Sequence, residues 1–590
     1  MGLILGLDFG TTYSTVSVIE NDVVTVCRRG QSYVTEDSLV FKDSDGFLYG
    51  SDARESAGQY GTLFEGFKVL LTENNPQKLS NYSSDFESET HPRKITSRYL
   101  DHILKLAMSE YTDSKKIDRL VVGIPAVWED QTTPDEKPNP LNENKSALED
   151  IIRDLGYVDE VILRTEPELA CGYYLYNNRV NSGDKNGYSG YLLLIDYGGG
   201  TLDIALCKID ASSSNIEIIE TFGAGWNRDR QRGDAGLAFF QELTDIATKD
   251  EDNDEAEKAS FRCKLENAIK RLQYDNPEDK KAEKLKTIFE SGTIRERAES
   301  PLAKDSFAKI KFNGKGIDVT YSMIAEAYVN KIEQVLTAEL RKVRKKLDEM
   351  EIDYSASSDS FRIQLVGGFS NFLFVQKTVE LELKRNPRRD KRFNGGFQRG
   401  SDMNFAVSYG AALYANESYT ITKKSQFCLG IYGKLGFEPF FAVHVGDKIN
   451  PGHIYMVMNT ENTSPRHFLG NGLNEFAFCS NSIKHDHKDC TKLSVSEKYK
   501  RQLSMIVDER YIFGISFDRS SIISLHKWIT VDQGQRVYAE YESYSNSTHA
   551  DDEMFGDIIR ETPEKFGLKY LGSERLGNVF QLTGKERNSI

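Results

Sequence analysis

Two short tracts in this sequence gather the residue types that hold phosphate and a divalent cation. The first is Asp8-Phe9-Gly10-Thr11-Thr12-Tyr13, and the second is Asp196-Tyr197-Gly198-Gly199-Gly200-Thr201. In each, an apolar run (residues 3–7 or 191–195) leads into an aspartate, a glycine turn and a threonine. Glycine lets the backbone turn tightly and come close to a phosphate. Consecutive backbone N–H groups and the hydroxyls of Thr11, Thr12 and Thr201 then donate to phosphate oxygens. A carboxylate repels phosphate, so Asp8 and Asp196 read as ligands, direct or through water, for the Mg²⁺ that accompanies it. The second tract adds a further carboxylate, Asp203. A lone Asp-x-Gly-Thr is a weak signal; two at strand ends inside a repeated unit are a strong one.

The elements that must position these loops are also repeated. Each tract is followed by two alternating segments, residues 14–20 with 23–28 and residues 202–209 with 216–221. Period-two alternation with a polar break predicts a hairpin in each case. A strand, an Asp-aromatic-Gly turn and two more strands therefore occur twice, which predicts two α/β lobes of one architecture facing across a pseudo-twofold axis. Between them lie a strand at 119–124, a loop at 132–144 carrying Pro134, Pro138 and Pro140, and a helix at 145–155 ending at Gly156. Residues 236–274 and 321–350 have helical patterns, and a strand at 361–366 ends in Gly367-Gly368. From about Ser425 the texture changes to short strands, turns and aromatics. The expected division is lobe I at 1–185, lobe II at 186–418 and a linker at 419–426. A β-rich partner-binding domain at 427–545 and a short helical or loose tail at 546–590 complete it.

Bulk properties bound the function. At 590 residues the chain exceeds a single core, so several packing units are expected. A net charge of -15 argues against broad electrostatic capture of nucleic acid or an anionic membrane. The 7 scattered cysteines, an odd number, suit a reducing compartment rather than a disulfide scaffold. No run approaches the ~18 apolar residues that span a bilayer, and the first residues do not read as a signal peptide or a myristoylation site. The expectation is a cytoplasmic protein without membrane insertion.

The two loops resemble the phosphate loops of the actin, sugar-kinase and heat-shock ATPase superfamily. Gly6-Leu7-Asp8-Phe9-Gly10-Thr11-Thr12-Tyr13-Ser14 looks like the seventy-kilodalton heat-shock protein branch. Val122-Gly123-Ile124-Pro125, Thr165-Glu166-Pro167-Glu168, Leu365-Val366-Gly367-Gly368-Phe369-Ser370 and the hinge-helix run from Ala406 to Ala412 follow in the family order. The resemblance implies duplicated actin-like (ribonuclease H-like) lobes around an ATP/ADP cleft with a β-rich domain behind. It implies slow Mg²⁺-dependent ATP hydrolysis, a protein client and co-chaperones. Asp8 and Asp196 would hold the hydrated Mg²⁺, while Gly10, Thr11, Thr12, Tyr13, Gly198, Gly199, Gly200 and Thr201 cradle the phosphates. Lys68 would reach the γ-phosphate and the attacking water, with Glu166, Asp196 and Asp203 orienting water or the metal shell. Gly367, Gly368 and Ser370 would line the adenosine pocket, and Glu266 with Lys270, at i and i+4 on one helix face, would contact ribose and adenine.

The chain departs from the family pattern at several positions. Asn371 stands where common members stack an arginine on adenine, and Asn404 where they carry an aspartate, with Asp402 close by. Gly-Gly-Phe-Ser looks like the lid-less, twelve-type branch. Thr420-Ile421-Thr422-Lys423-Lys424-Ser425 replaces the acidic-and-leucine linker, and the stretch after Tyr544 is short for a helical lid. An actin-like filament former, a small-molecule kinase and a nucleotide-binding pseudo-ATPase switch are the competing readings. Cys479, His485, His487 and Cys490 form a separate candidate zinc set whose spacing matches no common module.

Overall fold

The computed structural model describes residues 2–29, 32–57, 59–73, 88–111, 116–128, 142–181, 187–227, 232–233, 235–251, 255–272, 274, 276–355, 360–384, 393–395, 402–425, 428–432, 440–444, 446–456, 477–481, 491–493, 511–520, 523–531, 536–537, 539–540 and 555–577. Two compact units divide the chain. Met1–Glu129 with Ala147–Ile421 form the first, and Asp130–Ser146 with Thr422–Ile590 form the second.

In the first unit, strand β1 (Ile4–Phe9) is the pivot of a six-stranded sheet. It pairs antiparallel with β2 (Tyr13–Glu20), which pairs antiparallel with β3 (Val23–Val26). On its other edge it runs parallel to β4 (Ile117–Ile124), itself parallel to β5 (Val158–Thr165). Strands covered on both faces need continuous apolar runs, and Leu120, Val121, Val122 and Ile124 of β4 are all fully buried. Helix α1 (Glu166–Asn181) starts directly at the end of β5.

A second sheet repeats this plan. Strand β6 (Gly190–Tyr197) pairs antiparallel with β7 (Leu202–Asp210), and β7 with β8 (Asn215–Ala224). Helices α2 (Gly236–Ala247) and α3 (Glu255–Lys270) follow. The other edge of β6 runs parallel to β9 (Phe361–Val366), which is parallel to a short strand at Phe393–Gly395. Helix α4 (Ala406–Ala415) then returns to the first sheet. A Cβ on Gly6 of β1 would lie 2.2 Å from the Ala412 nitrogen, and one on Gly410 would lie 1.8 Å from the Leu169 carbonyl oxygen. Small residues in α4 thus let its backbone touch β1 and α1 directly.

Several sequence expectations need adjusting. The helical pattern of residues 236–274 is carried by two helices, Gly236–Ala247 and Glu255–Lys270. The pattern of residues 321–350 is α-helical at Tyr321–Tyr328, widens into a π turn at Val329–Glu333 and resumes at Gln334–Glu349. The helix expected from 145 begins at Asn142 and runs to Asp154, and Gly156 follows it at φ 77. Most of the proline-bearing loop before it lies outside the described residues. Within the expected linker, Thr420–Lys424 is a strand, and the Thr420 N–H donates to the Ser214 carbonyl at 3.0 Å.

The second unit holds two four-stranded antiparallel sheets. One comprises Phe440–Val443, Cys428–Tyr432, Ala477–Asn481 and Thr491–Leu493. The other comprises Ile454–Met456, Tyr511–Phe517, Ile523–Thr530 and Leu568–Gly577. That last strand corrects the reading of 546–590 as helix and loose tail. Phe555–Glu561 is the expected short helix, but Gly567, at φ 65, turns the chain into a strand that completes the sheet. Trp528, Phe555, Ile559, Phe566 and Leu568 share one core there, so the segment is bound by apolar burial. Of the candidate zinc set, Cys479 lies on a strand, while His485, His487 and Cys490 lie outside the described residues. Among the described residues no helix is long and apolar enough to cross a membrane.

Candidate functional site

The two glycine loops stand at the ends of β1 and β6, and their tips meet. At the first, a Cβ on Gly10 would lie 2.1 Å from the Tyr13 carbonyl oxygen, so the turn itself requires glycine. The Ser38 hydroxyl donates to the Gly10 carbonyl at 2.7 Å and the Ser38 N–H to that of Thr12 at 2.9 Å, which fixes the loop from below. At the second, the Gly198 N–H donates to the Thr201 carbonyl at 3.0 Å. The first N–H groups of α2, from Gly236 and Leu237, donate to Gly198 and Gly199 at 3.2 and 2.8 Å. A Cβ on Gly199 would lie 2.3 Å from Thr12 Cγ2, and one on Gly200 would lie 2.0 Å from Thr11 Oγ1. These glycines are required by the opposing loop, a reason beyond the close approach to phosphate that the sequence suggested.

Behind the loops four carboxylates converge on one lysine. Asp8 ends β1, Asp196 lies near the end of β6, Asp203 is its cross-strand partner on β7 and Glu166 opens α1. Lys68 enters from a short 3₁₀ turn, Phe67–Leu70, and is buried at 2% exposure, with Nζ donating to Glu166 Oε1 at 2.5 Å. Its ammonium also lies 5.5 Å from the Phe9 ring and 5.7 Å from that of Trp128. It is therefore no solvated surface lysine. Burial, then the charge of Glu166, push the Asp8 carboxyl up to about 7 against the pull of Lys68. The same two causes push Asp203 up to about 7, although the Thr201 hydroxyl and the Ala126 N–H, 2.6 Å from Oδ1, oppose them. Asp196 too is held well above the usual carboxylate range, by burial first and then by Glu166, Asp8 and Asp203. Such a cluster holds more carboxylates than cations, which a proton or a bound cation would relieve. Among the described residues no group of three or more His, Cys, Asp or Glu side chains forms a metal-binding set.

The cluster and loops form one wall of a cavity of about 750 Å³. Every site residue expected from the sequence lines it except Asp203 and Ser370. Asp203 is completely buried behind Asp196. The Ser370 hydroxyl accepts from the Tyr197 N–H at 3.1 Å, so it braces the base of the second loop rather than facing a nucleoside. Gly367, at φ 83, is required by the site itself, since a Cβ there would lie 2.2 Å from Asp196 Oδ1.

Comparison with known proteins finds a distant similarity. The chain is similar to the chaperone protein DnaK of Mycoplasmopsis synoviae (strain 53). The two are 23% identical over 398 residues, which is 66% of this chain and 55% of the relative. The chain thus spans about half the length of the curated relative it matches. No family model matches.

Around Glu266 and Lys270, both named from the sequence, the structure adds Arg54, which sequence reasoning missed. Glu266 and Lys270 on α3 form an ion pair, and Lys270 Nζ lies 4.2 Å from the centroid of the Tyr13 ring. Arg54 joins this group, contacting Asp37 at 2.7 and 2.8 Å and Glu266 at 3.4 Å. Burial opposes ionisation of Glu266, yet Lys270 and Arg54 beside it hold its carboxyl below the usual range. Nothing local in the sequence marks Arg54, because its partners come from distant segments. Phe240, Leu272, Phe369, Phe372 and Phe405 supply apolar wall. The two departures noted in the sequence meet here, with Asn371 Nδ2 donating to Asn404 Oδ1 at 3.3 Å.

Proposed function

We propose that this cavity binds Mg²⁺-ATP and ADP, hydrolyses ATP slowly, and uses the nucleotide state to control binding of a protein client or partner. The observation that carries the reading is the pair of abutting glycine loops backed by four carboxylates around Lys68. The distant similarity to a chaperone supports the second half of it. In this reading the two sheets belong to duplicated actin-like lobes, at 1–185 and 186–418, facing one nucleotide cleft. The 419–426 segment joins them to a client-binding β-rich region at 427–545, as in a lid-less member of the twelve-type branch. A cytoplasmic setting and co-chaperones belong to the same proposal.

The roles follow from position. Thr11, Thr12, Thr201 and the loop N–H groups donate to phosphate oxygens. Asp8 and Asp196 hold the hydrated cation, and bound Mg²⁺ neutralises charge that develops on the transferring phosphoryl group. Lys68 Nζ, anchored on Glu166, presents positive charge to the terminal phosphate, and Glu166 orients the attacking water. Asp203, out of reach of ligand, acts by holding Ala126 and tuning Asp196. Glu266 and Lys270 contact the ribose side.

Asp8→Asn and Asp196→Asn test this directly. Each should weaken Mg²⁺-ATP binding or turnover by at least about tenfold, since each removes a charge-assisted contact. Unchanged turnover in both purified variants would sink the mechanism. Nucleotide-dependent limited proteolysis around residues 420–426 tests coupling: a cleavage pattern identical with and without ATP removes the control of client binding.

A further inference from the structure

Each glycine loop has two carbonyl groups held from behind. In the second loop the donors are the N–H groups of Gly236 and Leu237, which reach the carbonyls of Gly198 and Gly199 at 3.2 and 2.8 Å. In the first, both donors belong to Ser38, which directly follows a strand (Thr35–Asp37) paired antiparallel with β2. Its hydroxyl donates to the Gly10 carbonyl at 2.7 Å and its N–H to the Thr12 carbonyl at 2.9 Å. A trans peptide is planar, so its C=O and N–H point in opposite directions. Holding these two carbonyls back therefore turns the N–H groups of Thr11 and Tyr13 away from Ser38, toward the cavity that the loop lines. Of the four donors, three are backbone groups and one, the Ser38 hydroxyl, is a side chain. It holds the peptide most able to turn over, because Gly10 has no Cβ to restrain it. Turned over, that peptide would set a carbonyl oxygen against a phosphate. Ser38 is buried, and its single hydroxyl proton is committed to Gly10, so the Ser14 hydroxyl, 2.9 Å away, donates to it and steadies it.

We propose that Ser38 is a positioning residue of the phosphate site: by holding the Gly10 carbonyl back, its hydroxyl aims the Thr11 N–H at a phosphate oxygen. This rests on the nucleotide reading of the cavity. Ser38 touches no ligand and acts through the loop, so its influence falls on the phosphates and not on the nucleoside.

The test is titration calorimetry on the full chain with Mg²⁺-ADP, Mg²⁺-pyrophosphate and adenosine. Ser38→Ala should bind ADP and pyrophosphate about tenfold more weakly, the worth of one such hydrogen bond, and adenosine as tightly as the wild-type chain does. Ser38→Thr, which keeps the hydroxyl, should return both phosphate ligands to within about threefold of wild type. Ser14→Ala leaves Ser38 in place but removes the hydroxyl that steadies it. It should show the same pattern at about two- to threefold, and it decides the question if Ser38→Ala does not fold. Unaltered ADP binding in Ser38→Ala overturns the proposal, as does a Ser38→Thr chain no better than Ser38→Ala. An equal loss for adenosine overturns it too, since the whole cavity would then have loosened. If the wild-type chain binds neither ADP nor pyrophosphate, the nucleotide reading itself falls and this inference with it.

Discussion

At one end of the cavity, Gly10, Thr11 and Thr12 meet Gly199 and Gly200 through backbone and short side chains, over carboxylates fixed at strand ends. At the other, the side-chain amides of Asn371 and Asn404 meet, and Gln376 Nε2 donates to the Asn371 carbonyl, the three residues lying on separate short elements. The first end is set by where two strands stop, and a Cβ on Gly10, Gly199 or Gly200 would collide there. The second is set by which side chains happen to face inward, and it can change without disturbing the sheets. The difference teaches where constraint sits: the Asp8 end is a property of the fold, and the Asn371 end is adjustable equipment mounted on it.

Lys68→Met should produce the largest effect. It removes the ammonium set among Asp8, Glu166, Asp196 and Asp203, and hydrolysis should fall by about 100- to 1000-fold, as for loss of a preorganised charge at a reacting phosphate. Single-turnover measurement checks this, and a loss under about tenfold would place the chemistry elsewhere. Next, Gly200→Ala drives a Cβ into Thr11. A loss of about 1–3 kcal/mol in stability or nucleotide affinity is expected, the usual cost of overpacking. A neutral result would mean that the loops can part, and the contrast between the two ends would weaken.

A smaller effect sharpens the electrostatic side of the comparison. The folded-state carboxyls of Asp8 and Asp203, at about 7, lie above the ordinary value near ~3.9. The native chain therefore holds protons that the unfolded chain releases between about pH 4 and 7, and their contribution to stability falls as pH rises through that window. The melting temperature of the free chain should be higher at pH 5.5 than at 7.5, less so in Asp203→Asn, and the gap should shrink with Mg²⁺-ADP. A free chain that gains stability on going from pH 5.5 to 7.5, with no change in Asp203→Asn, would contradict the charge deficit. The smallest expected change is in Arg54→Met, which unbridges Asp37 and Glu266. About 1 kcal/mol of stability is at stake for such a partly exposed network, with nucleotide release a few-fold faster by stopped flow.

The Asp8 end was legible because its signals are local. An aspartate after an apolar run, a glycine turn and a repeated hairpin are all visible within a dozen residues. The same is true of Gly367, although its true reason, room for Asp196 Oδ1, was not. Ser370 was placed in the nucleoside pocket by its motif, yet its hydroxyl faces the Tyr197 N–H, because a side chain's direction is set by the turn that carries it. The strand at Leu568–Gly577 was missed because its apolar alternation is short and its hydrogen-bond partner lies back at Ile523–Thr530.

What the sequence determined alone was the repeated strand-turn-hairpin unit and the glycine and aspartate loops, since backbone conformation and burial period are written residue by residue. The tertiary structure decided which loops touch, that Lys68 is buried against Glu166, and that the Asn371 and Asn404 amides meet. Those are contacts between segments far apart in the chain. Their geometry is fixed by packing and by the accounting of buried polar groups, which no local pattern records.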